Sequence, residues 1–270
     1  MRRAPEPIDG ADGVDGDDRV GRATDDDSEG ADAVDRLLCE AVDGLVEVTV
    51  EDPVEGPIEH IVFGATSGAS TGAASGDPFV TFVVPSVGRE SLERALRSLD
   101  GQTDPAFRGV LVADGFVPPG SLSARFPWLT VAATGARLGR ENHAGAVRNI
   151  GIEMASTEWV AFLDDDDALS PRYVEWLRAE IEARPDADAV VFRMRTDKAG
   201  PRHGVLPPVG ASDFDVGLVG ISFAARRSPV RLGAKLLAFR PGPAEGFDLL
   251  DLLRGAGCAV VLSPRVAYFS

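Results

Sequence analysis

The sequence predicts an α/β fold in which helices cover both faces of a central sheet. Short unbroken apolar runs at residues 79–84 and 159–163 are typical of strands buried on both faces of a parallel sheet. Residues 91–99 and 144–155 instead read as helices, the first of them with apolar residues along one face. Because strands and helices alternate at this spacing, we expect βαβ units and a largely parallel sheet.

The predicted elements follow one another in a regular order. Strands are expected at residues 79–84, 109–113, 130–133, 159–163, 187–194, 220–225 and 259–262. Helices are expected at residues 91–99, 144–155, from 170 onward, and 245–254. Pro85 is expected to end the first strand, and Ser170 and Pro171 suit the N-cap and first turn of a helix. The Gly- and Pro-rich residues 196–215 predict an irregular loop.

Acidity is concentrated near the start of the chain. The formal net charge of the whole sequence is −16, of which residues 1–77 carry −15 and residues 78–270 only −1. Residues 1–31 have few large apolar side chains, so we expect a disordered acidic leader that is unsuited to binding nucleic acid. Residues 32–64 predict a small helix-strand-strand extension, either docked on the main domain or degenerate, and residues 65–77 a flexible linker.

Cysteine usage and hydropathy bear on the compartment. Cys39 and Cys258 lie far apart and form neither a paired-cysteine framework nor a CxxC site, so a reduced, cytoplasmic compartment is expected. Arg2 and Arg3 precede no apolar segment of the kind that a signal peptide needs. No apolar run approaches 18 residues, so we expect no transmembrane segment.

Four consecutive carboxylates, at residues 164–167, follow the strand predicted at 159–163. Ligands of open α/β sheets bind just beyond the carboxyl ends of such strands. Adjacent carboxylates repel one another, and a divalent cation relieves that repulsion. Oxygen-only ligation suits Mg²⁺ or Mn²⁺ better than zinc. The alternative interpretation is a solvated acidic loop or the charged start of the following helix.

Polar residues also follow other predicted strands. Ser86 and Arg89 follow the first strand, Asp114 follows the second, and Arg148 lies in the helix before the acidic cluster. If they meet at one sheet edge, carboxylates there can accept the hydrogens of a base or ribose, and a cation can neutralise a diphosphate. The alternatives are a plain Asp-Gly turn at Asp114 and a surface helix arginine at Arg148.

Seven segments between residues 82 and 253 together resemble family 2 glycosyltransferases of the GT-A fold. They are FVVPSVGR at 82–89, LERALRSLDGQT at 92–103, LVADG at 111–115, AGAVRNIGI at 144–152, WVAFLDDDDALSP at 159–171, GISFAARR at 220–227 and EGFDLLDLL at 245–253. Their order and spacing carry the resemblance. The PSxGR and VxDG variants resemble a small subgroup that includes phage members. The domain is expected at 78–270, with a nucleotide-sugar half at 78–194 and an acceptor half at 195–270.

The resemblance implies a Rossmann-type mixed sheet and a metal-dependent inverting transfer of a sugar from a nucleotide-sugar donor to a hydroxyl acceptor on a glycan, lipid or protein. It implies Mn²⁺ or Mg²⁺ as cofactor and a UDP-sugar as the first expectation for the donor. Asp164 and Asp166 match the acids of the DxD motif, Asp166 being the better metal ligand, and Asp167 is the adjacent acid; the three are the implied metal ligands. The residues implied to line the donor pocket are Pro85, Ser86, Arg89, Asp114 near the base or ribose, Arg148 near the diphosphate, and Asp164.

Two positions depart from the family pattern. Ala113 replaces the first of two acids at the end of the second strand, which makes uridine less secure as the base. Gly246 stands where the catalytic Asp is expected, and the nearest carboxylates are Glu245 and Asp248. An inverting transfer needs a carboxylate within hydrogen-bond reach of the acceptor hydroxyl. Because the Glu245 side chain is one methylene longer than that of Asp, we predict Glu245 as the base, with Asp248 as the second choice.

Two other functions fit the same residues. A non-catalytic nucleotide-sugar-binding or scaffold protein would explain Gly246 at the position of the base. A nucleotidyltransferase shares the layout, but the PSVGR sequence at 85–89 lacks the Gly-rich, Lys-bearing loop of that class.

Overall fold

The structure is a computed structural model that describes residues 47–52, 56–62, 77–139, 144–197, 203–228, 238–240 and 244–270. All of them belong to one compact unit, Asp43–Ser270. Two antiparallel strands, β1 (Glu47–Asp52) and β2 (Gly56–Val62), overlap the strands predicted in the extension. The predicted acidic leader, the predicted helix of the extension and nearly all of the linker lie outside the described residues.

In the part of the chain that the structure describes, nine further strands form one sheet. They are β3 (Val80–Ser86), β4 (Phe107–Ala113), β5 (Leu129–Ala133), β6 (Trp159–Phe162), β7 (Ala168–Leu169), β8 (Ala189–Thr196), β9 (Gly204–Leu206), β10 (Phe223–Arg226) and β11 (Val260–Phe269). The spatial order is β5-β4-β3-β6-β10-β8-β11-β7, with β9 beside β8. The first four strands in this order are parallel, whereas β10 runs antiparallel to both of its neighbours. The sheet is therefore mixed, with a parallel half.

Helices pack on both faces of this sheet. They are α1 (Leu92–Asp100), α2 (Leu122–Arg125), α3 (Gly145–Met154), α4 (Tyr173–Ala183) and α5 (Glu245–Gly255). On β4, Val110 and Val112 pack with Val147 of α3, while Leu111 belongs to the larger core on the opposite face. Alternating side chains of one strand therefore bury two separate layers, as expected for a strand covered on both sides. None of the described helices is long and apolar enough to cross a membrane.

Aromatic side chains fill the larger core. The ring of Phe82 lies 5.8 Å from that of Phe107 and 5.3 Å from that of Tyr173, and the Tyr173 ring lies 4.7 Å from Phe192. Tyr173 is fully buried, and its hydroxyl has no hydrogen-bond partner among the described residues. Burial raises the pKa of Tyr173 well above its usual value.

Several predicted boundaries are wrong for identifiable reasons. Pro85 lies inside β3 and does not end it. The hydrogen-bond ladder between β3 and β6 ends at Val83. Pro85 lies two residues beyond that end, so its lack of an N–H removes no hydrogen bond from this ladder. The predicted N-cap, Ser170, instead donates its backbone N–H to Ala267 of β11, and α4 begins at Tyr173.

Three further elements were not predicted, and one strand is longer than expected. The short elements α2, β7 and β9 each contain only a few residues and therefore leave little periodic pattern in the sequence. Strand β11 continues to Phe269, seven residues beyond its predicted end, because it pairs with both β8 and β7.

Candidate donor and metal site

A pocket opens at the carboxyl ends of β3, β4 and β6, which are neighbours in the sheet. The residues predicted to line a donor pocket all border it: Pro85, Ser86, Arg89, Asp114, Arg148 and Asp164. Arg137, Gly139, Val147 and Asp165 complete most of its wall. The structure therefore brings together side chains that are up to 79 positions apart in sequence, because parallel strands end at the same edge.

The acidic cluster immediately after β6 divides into two groups. One carboxylate oxygen from each of Asp164, Asp166 and Asp167 lies within 4.8 Å of the others. Asp164 and Asp166 are partly exposed, whereas Asp167 is buried. Three carboxylates that converge at this distance form an oxygen-only donor set, which fits Mg²⁺ or Mn²⁺. These are the same three residues that the sequence predicts as metal ligands.

Asp165 points away from that group and holds the loop that follows β3. It is buried, and its Oδ2 accepts hydrogen bonds from the Ser86 hydroxyl at 2.7 Å and the Val87 N–H at 3.3 Å. Its Oδ1 accepts a hydrogen bond from Arg89 at 2.9 Å. The sequence analysis gives Asp165 no role, and the structure ties it to two of the predicted donor-pocket residues.

Asp114 is buried and fixes the opposite wall of the pocket. Its Oδ1 accepts the N–H of Leu138 at 2.6 Å, and its Oδ2 accepts the N–H of Gly139 at 2.9 Å. The hydroxyl of Thr134 also lies 3.3 Å from Oδ1. Asp114 is therefore more than a plain turn residue, since both of its oxygens hold a loop that borders the pocket. Its predicted contact with a base or ribose stays a prediction.

Arg148 is a buried cation between two carboxylates. Its Nη2 donates to Asp164 at 2.6 Å, its Nη1 donates to Glu245 at 2.9 Å, and its guanidinium lies over the Phe239 ring. Burial lowers the pKa of Arg148, but the charges of Asp164 and Glu245 outweigh this effect and hold the pKa above its usual value. The interpretation of Arg148 as a surface helix arginine is therefore wrong, because its side chain is almost completely buried.

Glu245 begins α5 and turns inward. Its Oε1 accepts the backbone N–H of Ala144 at 3.0 Å in addition to the bond from Arg148. Its Oε2 is buried, has no partner among the described residues, and occupies the space that a Cβ on Gly145 would need. A glycine at position 145 is therefore required for the carboxylate to lie there.

The two neighbouring positions differ from Glu245. A Cβ on Gly246 would overlap the carbonyl oxygen of Gly220, so this backbone has no room for a side chain at position 246. Asp248, one turn along the helix, is exposed. Neither Glu245 nor Asp248 lines the pocket itself, but Glu245 contacts the pocket cation Arg148. The structure thus places Glu245 against the pocket cation and Asp248 in solvent.

Tyr268 of β11 reaches the acidic cluster from the far end of the chain. It is fully buried, and its hydroxyl accepts the backbone N–H of Asp164 at 3.0 Å. Burial, followed by the charges of Asp167 and Asp164, raises the pKa of Tyr268 well above its usual value. Tyr268 was not predicted as a site residue, because the last strand was expected to end at Leu262 and no local pattern marks a contact across 104 positions.

Comparison with known proteins connects this site to glycosyl transfer. Residues 81–208 match the family model described as glycosyl transferase family 2. The uncharacterized glycosyltransferase YwdF of Bacillus subtilis (strain 168) is 29% identical over 133 residues, which are 47% of this chain and 47% of YwdF. The chain thus spans about half the length of this curated relative.

Solved structures share the fold at low sequence identity. Staphylococcus aureus TarS 1–349 in complex with UDP-GlcNAc is 17% identical, with a TM-score of 0.55 over 71% of this chain and 58% of TarS. The complex of the same protein with UDP is 16% identical, with a TM-score of 0.57 over 71% of this chain and 60% of TarS. The mannosyltransferase PcManGT from Pyrobaculum calidifontis in complex with GDP-Man and Mn²⁺ is 19% identical, with a TM-score of 0.50 over 73% of this chain and 58% of PcManGT.

These comparisons decide part of what the sequence predicts. The likeness to these structures confirms the GT-A-like α/β fold. The family 2 resemblance is confirmed for residues 81–208. The phage-type subgroup, the DxD assignment, the domain boundaries and the cytoplasmic location stay predictions.

Proposed function

We propose that this protein is a metal-dependent inverting glycosyltransferase that moves a sugar from a nucleotide-sugar donor to an acceptor hydroxyl. The observation that carries the proposal is that the pocket is lined by the buried cation Arg148 and its partner Asp164, and that Asp164 is one of three carboxylates whose oxygens converge. The family 2 match over 81–208 supports glycosyl transfer. The UDP, UDP-GlcNAc and GDP-Man in the neighbouring structures support a nucleotide-sugar donor, and the Mn²⁺ in one of them supports a divalent metal.

Asp164, Asp166 and Asp167 would hold the divalent cation, because their oxygens converge and suit Mn²⁺ or Mg²⁺. When bound, such a cation stabilises the negative charge that develops on the departing diphosphate. Asp164 also accepts a hydrogen bond from Arg148, so one carboxylate connects the metal position to the pocket cation.

Arg148 supplies a fixed positive charge for the diphosphate. Its two carboxylate partners and the Phe239 ring fix the position of the guanidinium before a donor arrives, and a diphosphate would have to share it with Asp164 and Glu245. Arg89 is partly exposed and is anchored by Asp165, so it presents a second cation at the pocket entrance. A UDP-sugar is the first candidate donor, although Ala113 removes one of the acids expected near the base.

Glu245 is the proposed proton acceptor, with Asp248 as the second choice. The acceptor oxygen forms a bond to the anomeric carbon, the bond from that carbon to the diphosphate oxygen breaks, and the hydroxyl proton passes to the carboxylate. Oε2 is the Glu245 oxygen that has no partner among the described residues. To reach an acceptor, this oxygen has to rotate away from Gly145 while Arg148 keeps or releases Oε1.

A second candidate is a non-catalytic protein that binds nucleotide sugars. Two observations favour it. Position 246 has no room for the expected carboxylate, and the Glu245 carboxylate is paired with Arg148 and packed against Gly145. The two candidates share the donor pocket and differ only in turnover.

Donor hydrolysis in the presence of Mn²⁺, measured with a panel of UDP- and GDP-sugars, tests the proposal. We expect slow metal-dependent hydrolysis of one donor. Glu245→Gln should lower that rate by about 10²–10⁴ while donor affinity is retained or improved, because the amide no longer competes as a charge for Arg148. Asp248→Asn is the matched control and should retain most of the rate. Tight binding of a donor without turnover of any would support the non-catalytic candidate, and an unaffected Glu245→Gln variant would remove Glu245 as the base.

A further inference from the structure

We propose that Tyr268 is a positioning residue for the metal site: its hydroxyl fixes the backbone of Asp164 and so holds the carboxylates of Asp164, Asp166 and Asp167 together. The inference rests on the proposed function, because it takes these three residues as the metal ligands. It adds a residue that lies outside the acidic cluster and contacts it through the backbone of Asp164.

The start of the acidic turn lies where the sheet stops supporting it. The N–H of Leu163 donates to Val83 at 3.1 Å, which is the last backbone bond from this segment to β3. The next N–H, that of Asp164, lies beyond the last pair of β6 with its other neighbour β10, Ala161 opposite Ala224, and donates to the Tyr268 hydroxyl at 3.0 Å. The phenol therefore replaces the missing strand partner for the first residue of the turn.

The end of the turn is held by the same strand. Asp167 closes the turn by donating its N–H to the Asp164 carbonyl at 3.1 Å. Immediately after it, β7 pairs with β11, Leu169 opposite Tyr268 and Ala168 opposite Phe269. Tyr268 thus touches both ends of the turn, one through its side chain and the other through its place in the ladder.

Such support is needed because the turn carries four adjacent carboxylates, which repel one another in the absence of a cation. A turn that is free to open would let the carboxylate oxygens move apart. The turn would then bind a metal that demands closely defined geometry less tightly. Tyr268 is suited to the role, because it is fully buried and its hydroxyl is held against the backbone of Asp164. A buried tyrosine hydroxyl usually has a hydrogen-bond partner, and here that partner belongs to a proposed metal ligand.

Tyr173 provides a matched control. The sequence contains two tyrosines, and both are fully buried. The Tyr173 hydroxyl has no hydrogen-bond partner among the described residues, whereas that of Tyr268 holds the Asp164 N–H. Phenylalanine at either position deletes the same single oxygen, but only the change at Tyr268 releases the acidic turn.

The test is the affinity of the full chain for Mn²⁺ alone, measured by titration with electron paramagnetic resonance detection. Tyr268→Phe should bind Mn²⁺ about three- to tenfold more weakly than the unmodified protein, the range expected for one hydrogen bond. Tyr173→Phe should stay within about twofold of the unmodified protein. Equal Mn²⁺ affinity in Tyr268→Phe and the unmodified protein would overturn the inference while leaving the metal site intact. Absence of Mn²⁺ binding to the unmodified protein would overturn both.

A second measurement does not depend on how well Tyr268→Phe folds. Protein labelled with 3-fluorotyrosine should give two ¹⁹F signals from its two tyrosines, and the Tyr173→Phe variant alone assigns both. Addition of diamagnetic Mg²⁺ should shift the Tyr268 signal and leave the Tyr173 signal in place. A Tyr268 signal that does not move at Mg²⁺ concentrations that saturate the site would refute the proposed role.

Discussion

Replacing Arg148 by methionine removes the guanidinium that joins Asp164 to Glu245, while it keeps an apolar stem of similar reach against Phe239. The two lost ion pairs do not contribute equally. The Asp164 side chain is 32% exposed, so water can solvate it, and its pair is worth about 0–1 kcal/mol. The Glu245 side chain is 9% exposed and that of Arg148 is 5%, so this pair is buried.

Glu245 therefore determines the size of the effect. Without Arg148 its carboxylate keeps one hydrogen bond, from Ala144, and remains a buried charge with no counter-charge among the described residues. Breaking a buried pair on one side costs about 3–5 kcal/mol, which is a large part of the roughly 5–15 kcal/mol that stabilises a typical domain. We expect the free energy of unfolding to fall by about 3–5 kcal/mol.

Urea unfolding at neutral pH, combined with a double-mutant cycle, checks this value. Adding Glu245→Gln to Arg148→Met removes the stranded charge, so the double variant should recover about 2 kcal/mol relative to Arg148→Met. Arg97→Met, which breaks the exposed pair with Glu93, is the control and should cost less than about 1 kcal/mol. A loss below about 1 kcal/mol for Arg148→Met, or simple additivity in the cycle, would refute the reasoning.

Three further substitutions test other parts of the structure. Asp165→Asn should raise the KM for the donor roughly tenfold, because the single amide oxygen cannot accept hydrogen bonds from Ser86, Val87 and Arg89 together. Steady-state kinetics measure this KM, and an unchanged value would contradict the prediction. Tyr173→Phe should stabilise the protein by about 1 kcal/mol in urea unfolding, since it deletes a buried hydroxyl that lacks a described partner, and a destabilised variant would contradict this. Gly246→Asp should cost about 1–3 kcal/mol in stability without raising turnover, because its Cβ overlaps Gly220; faster turnover would show that the backbone adapts.

The position of the pocket is predictable from the sequence, because it follows from topology. Once strands are recognised before Pro85, Asp114 and Asp164, a parallel arrangement places their ends on one edge. No distance information is needed for that step. The same logic explains why all six predicted pocket residues border one cavity in the structure.

The contacts made by individual side chains were not predictable in the same way. Asp165 looks identical to its neighbours in the sequence, and only the direction of the turn sends it toward Ser86. Tyr268 contacts Asp164 across 104 positions, which no local pattern records. Glu245 is buried because position 145 is a glycine, a dependence that links two distant segments and has no periodic signature.

Helix α3 connects the two predicted halves of the domain. Arg148 pairs with Asp164 of the donor half and with Glu245 of the acceptor half. The next residue, Asn149, exchanges two hydrogen bonds with the backbone of Phe239, at 3.0 and 2.7 Å. If a diphosphate takes Arg148 as its counter-charge, as proposed, it competes with Glu245 for the same guanidinium. Donor binding and the freedom of the Glu245 carboxylate would then be coupled through one side chain, and the buried ion pair would have a role beyond stability.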